Sequence, residues 1–146
     1  MANREAARAI LAHQQVDALD KRLAEKAKEG EEAEKRAKRA RRDYATIAHR
    51  LPLMVRRAGL SSALLFVGSR KNEHQLLLLD HLAAQLNDAG LCDGTIDGLL
   101  KAAREADLWA LERLTAEAER CLLWTKRLTV TVLGVTADQA DRSDAA

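Results

Sequence analysis

The chain has 146 residues and a formal net charge of +2; 47% of it is hydrophobic, but aromatics make up only 3% and there is a single proline. A length in the usual range for one domain, with Leu and Ala carrying almost all of the packing and no pair of alternating Val/Ile/Thr-rich runs joined by a hairpin signal, predicts a compact all-α domain and argues against a sheet. Cys92 and Cys121 stand in no zinc spacing and are expected to be small buried hydrophobes.

Charge is divided along the chain. Residues 1–72 hold 17 Lys/Arg against 9 Asp/Glu, net +8, and residues 73–146 hold 7 against 13, net −6. A division of this kind predicts one face for a polyanion and another for a different partner.

The first predicted helix starts near Asn3, with Ile10, Leu11, Leu19 and Leu23 as its apolar residues. From Ala24 to Asp43 the only apolar residue type is alanine. That stretch is expected to be a solvated, charged helix, broken or frayed at Gly30. It ends in KRAKRARR, Lys35 to Arg42, which has six bases in eight positions. Tyr44, Ile47, Ala48 and Leu51 then restore a core-facing helical spacing. Pro52 is expected to stop or kink this helix, with a short new helix running to Gly59.

LSSALLFVG, Leu60 to Gly68, is predicted as a short buried helix. Asn72 and Gln75 have capping-box spacing at the head of a helix that Gly90 ends. Thr95 is expected to cap TIDGLLKAAREAD. The last long helix is placed at about Leu108 to Leu133, with Leu111, Leu114, Ala118, Cys121, Leu122, Leu128 and Val132 inward. A single domain over 1–135 is expected, followed by a disordered polar tail, 136–146.

Candidate chemistry is sparse. The histidines, His13, His49, His74 and His81, form no metal-ligand motif, and the glycines near Gly94 lack a phosphate-loop ending, so no cofactor is expected. The N-terminus has no signal-peptide core and no run is long enough to span a bilayer, which predicts a cytoplasmic protein with no membrane partner.

Cations are the stronger signal. Tyr44 to Asn72 contains Arg50, Arg56, Arg57, Arg70 and Lys71 and no acid. On the last helix Arg113, Arg120 and Arg127 recur every seven residues beside Trp124. Glu117 has the spacing to neutralise the first two, whereas Lys126 and Arg127 have no such acid nearby. No helix-turn-helix or stacking platform is evident, so phosphate contact by Arg and Lys is the expected mode of binding.

The stretches YATIAHRLPLMVRRAGLSSALLFV, Tyr44 to Val67, and ERCLLWTKRL, Glu119 to Leu128, resemble the small-subunit family of type III-B CRISPR effectors, the fifth subunit of the Cmr complex. The matching positions are Leu51-Pro52, Arg56 or Arg57, Gly59-Leu60, Leu64-Leu65-Phe66, and Trp124 with Lys126-Arg127. Ser62 and Thr129 to Val132 depart from the family pattern.

The resemblance implies a non-catalytic, all-α subunit whose copies stack beside the guide-holding backbone subunits, against target RNA and guide RNA. Arg50, Arg56, Arg57, Arg70, Lys71, Lys126 and Arg127 are the expected phosphate contacts. Pro52, Gly59, Phe66 and Trp124 are expected to be architectural. Two other classes fit the composition: a dimeric helical regulator that binds nucleic acid, and a small helical-bundle enzyme acting on an anionic substrate.

Overall fold

The computed structural model describes residues 3–140. Among the described residues six helices of ten or more residues follow one another: α1 Arg4–Ala27, α2 Glu31–Ala58, α3 Leu60–Ser69, α4 Glu73–Asp88, α5 Ile96–Glu105 and α6 Leu108–Thr131. No strand occurs among the described residues. Their starts follow local chemistry. Asn3, Asn72, Thr95 and Asp107 each accept backbone N–H groups of the following turn on their side-chain oxygens. The side chain of Gln75 does not close a box with Asn72; its Nε2 donates to the Asp43 carbonyl at 3.3 Å.

α1 and α2 form an antiparallel hairpin turned at Gly30, whose φ of 139° is in glycine territory. Arg41 on the way back donates to Asp20 at 3.1 Å. The seam is alanine: Ala33, Ala37 and Ala40 are buried at i, i+4 and i+7, facing the stripe of Val16, Leu19 and Leu23. The segment expected to be wholly solvated therefore has a buried edge. Each alanine buries little area, but its small size is what lets two helices approach closely. Lys35, Arg36, Lys38 and Arg39 do face solvent.

α2 then becomes the axis of the molecule. Tyr44, Ala45, Thr46, Ile47 and Ala48 are buried in succession. Five consecutive positions point in every direction around a helix, so α2 is enclosed on all sides here, by α1, α3, α4 and α6. Pro52 neither stops nor divides it: α2 is one helix through to Ala58. Proline removes one backbone hydrogen bond, and Leu51 and Val55, buried on either side of it, hold the helix in place. The corner is one residue, Gly59, at φ 89°, which ends α2 and starts α3.

Polar groups inside the bundle are paired across helices. Tyr44 Oη and His81 Nδ1 are 2.8 Å apart, and Gln85 Nε2 donates to Gln15 Oε1 at 2.8 Å and to Thr125 Oγ1 at 3.3 Å. Glu117 sits in the α1–α6 seam and accepts from Arg8 Nε and, at 2.8 Å, from Arg8 Nη2. Arg4 lies 3.8 Å from the same carboxylate.

The tail also departs from expectation at its start. Residues 137–140 begin a helical turn, Ala140 is buried, and its carbonyl lies 3.1 Å from the Thr46 hydroxyl. A polar composition hid the anchor at Ala140. Residues 141–146 lie outside the described residues.

Candidate nucleic-acid interface

Beyond its enclosed section, α2 is covered on one side only. Ile47, Leu51 and Val55 continue into the core, while Arg50, Met54 and Arg57, at i, i+4 and i+7, share an outer face. α3 returns from the Gly59 corner and presents Ser62, Phe66 and Arg70 at four-residue intervals. These two faces enclose a groove of about 690 Å³. Leu53, Met54, Ala63 and Phe66 make its apolar floor, and Arg50, Arg57 and Arg70 are its cations. Among the described residues no acidic side chain lines it. Along the α3 wall, the Arg70 guanidinium carbon stands 5.8 Å from the centre of the Phe66 ring, within cation–π range.

The seven cations expected from the sequence do not converge on one place. Arg50, Arg57 and Arg70 line the groove. Arg56 is exposed one position round the helix, in the last turn of α2 with Arg57, where positive charge also complements the helix dipole. Lys71 is exposed at the mouth of the α3–α4 turn, at φ 53°. Lys126 and Arg127 belong to α6 and do not line the groove.

His49 marks where groove and α6 meet. It lines the groove, and its Nε2 lies 3.2 Å from the Val135 carbonyl and 3.3 Å from Thr129 Oγ1.

Of the aromatic residues expected to be architectural, Phe66 is half exposed on the groove, whereas Trp124 is partly buried, with the Arg127 guanidinium carbon 5.4 Å from its ring centre. The signal is in the spacing: each aromatic has an arginine three or four positions later, on the same helical face. Glu117, spaced to pair with Arg113 and Arg120, does not neutralise either of them, because its carboxylate turns inward to Arg8 and Arg4.

Among the described residues no group of three or more His, Cys, Asp or Glu is placed to hold a metal ion, and no helix is long and apolar enough to cross a membrane.

Three comparisons bear on this arrangement. The family model described as CRISPR-associated protein (Cas_Cmr5) matches residues 5–132. The CRISPR system Cmr subunit Cmr5 of Thermus thermophilus is 42% identical over 85 residues, covering 58% of this chain and 70% of that one. The X-ray crystal structure of a CRISPR-associated Cmr5 family protein, also from Thermus thermophilus, superposes with a TM-score of 0.70 at 33% identity, covering 90% of this chain and 98% of the other. The match runs continuously from the first helix to the end of the last, through the proline-containing α2, its glycine corner and the tryptophan-bearing α6, and the chain belongs to the Cmr5 family.

Proposed function

We propose that this chain is a non-catalytic small subunit of a type III-B CRISPR Cmr ribonucleoprotein, and that it contacts RNA phosphates through the cations around the α2–α3 corner and the end of α6. The observation that carries the RNA reading is the groove lined by Arg50, Arg57 and Arg70, in a chain that matches the family over residues 5–132. Arginine presents a planar fork to phosphate oxygens, and the fixed helical corner reduces the ordering needed on contact. Sequence discrimination in such an assembly belongs to guide–target pairing, so the subunit needs charge and shape rather than base readout. Its partners on this reading are the backbone subunits, neighbouring copies of itself, guide RNA and target RNA.

The assembled complex provides the test. Arg56→Ala with Arg57→Ala should weaken retention of target RNA, and the slope of log affinity against log salt should flatten by about 0.7–0.9 for each phosphate no longer neutralised. RNA copurifying with the intact assembly should be of uniform, guide-like length. An unchanged slope would assign these two arginines to closing the end of α2 instead. Of the two rival classes, neither the duplex-binding dimer nor the anion-processing enzyme gains a specific observation.

A further inference from the structure

The α6 face that points away from the bundle carries a pattern the groove does not explain. At 100° per residue, Trp109, Arg113, Arg120, Trp124 and Arg127 all fall within about 60° of arc, spread over about 27 Å of helix axis. Trp109 is 77% exposed, and Arg113, Arg120 and Arg127 are exposed as well. Both tryptophans of the chain are therefore on one stripe, interleaved with three arginines.

The arginines are available because of the tertiary structure. Glu117, the acid spaced to hold Arg113 and Arg120, is committed to Arg8 and Arg4 in the α1–α6 seam. Neither arginine makes an ion pair among the described residues. At the N-terminal end the stripe opens into a cleft of about 410 Å³ lined by Arg4, Leu91, Trp109, Arg113 and Arg120. Glu112 and Glu117 also line that cleft; Glu112 and Glu119 flank one edge of the stripe, and Glu117, on the other edge, is held by Arg8.

We infer that this α6 stripe is a second nucleic-acid surface, which binds single-stranded RNA by stacking bases on Trp109 and Trp124 while Arg113, Arg120 and Arg127 hold the phosphates. Stacking platforms interleaved with cations are how proteins bind single strands without reading sequence. The charge favours a polyanion, and an acidic border on one side confines the strand to the arginine track.

The stripe is separate from the α2–α3 groove. Thr129, which touches the groove residue His49, is two positions from Arg127 and so about 200° round α6 from it. One subunit therefore offers an apolar-floored cationic groove on one side and a stacking track on the other. This goes beyond the proposed function: of the stripe's residues only Arg127 is shared with it, and the mode of binding is different.

The chain reports on its own stripe, since it has no tryptophan elsewhere. The purified full-length protein is titrated with a 12-nucleotide oligouridine while tryptophan emission is followed, and with an abasic oligonucleotide of the same length as the control. Saturable quenching by oligouridine is expected, with about tenfold weaker binding for Trp109→Leu and again for Trp124→Leu. Abasic strand should bind more weakly and leave the emission unchanged. Arg113→Gln with Arg120→Gln should reduce the salt slope by about 1.4; both side chains are exposed, and circular dichroism checks that the variant is folded.

Equal binding of the abasic strand, or binding of oligouridine with no change in emission, would overturn the stacking assignment. Emission that changes with protein concentration alone, together with a larger sedimenting species, would overturn it in favour of an interface between copies. Neither result depends on Arg56 or Arg57, so failure here is distinguishable from failure of the groove reading.

Discussion

Individual side chains in this bundle are set by what encloses them. His81 is mostly buried beside Tyr44, and that burial, with a smaller contribution from Arg22 opposed by Asp80, pushes its pKa down to about 4. Its imidazole stays neutral in the folded state down to that value, while in the unfolded chain it takes up a proton near 6.5. Between these values the unfolded state binds more protons, so the stability His81 contributes is present above about pH 6.5 and is lost as pH falls toward 4. The expected loss from this residue between pH 7.5 and pH 5 is about 2 kcal/mol. Urea unfolding of the wild type and His81→Gln at the two pH values checks it, and the pH-dependent difference should shrink by that amount in the variant. Glu117 acts in the same direction, because hydrogen bonding to Arg8 holds its carboxyl below the ordinary carboxylate range. Burial, followed by the neighbouring Glu117 carboxylate, pushes the Cys121 thiol up to about 12, which fits its role as a packing residue.

Helix boundaries depend on backbone more than on side-chain burial. Gly59 and Gly68 show the contrast within ten residues. A Cβ at either would meet nothing within 4 Å, but Gly59 has φ 89° at the α2–α3 corner and Gly68 is inside α3. Gly59→Ala is therefore expected to cost about 1–3 kcal/mol through backbone strain alone. Gly68→Ala should add about 0.5–1 kcal/mol by restricting the unfolded chain. Denaturation midpoints of the two variants should move in opposite directions. The corner also sets function on the proposed reading, because it folds α3 back so that Phe66 and Arg70 face Arg50 and Arg57 across the groove.

Across the whole molecule, order extends further toward the C-terminus than composition implies. Val135 and Ala140 are buried, the Val135 carbonyl meets His49, and the Ala140 carbonyl meets Thr46. Ending the chain after Gly134 should thus lower stability by about 2–3 kcal/mol, through removal of apolar burial and of the hydrogen bonds to Thr46, His49 and the Thr129 carbonyl, as measured by thermal or urea unfolding. A freely solvated tail would leave the midpoint unchanged.

The sequence by itself determined the helical class, the helix starts at Asn3, Asn72 and Thr95, the break at Gly30 and the family motifs, because these follow from local backbone preference and short-range spacing. It also located the acid-free run of cations. Only the tertiary structure decided that Pro52 lies within a continuous helix, since the deciding contacts are those that clamp Leu51 and Val55. Likewise the alanine seam needs α1 opposite it, and the fate of Glu117 needs Arg8, 109 positions away. Which arginines are left for a ligand was settled at that distance: an acid one turn away is a partner only if no better-placed cation arrives from another helix to take it.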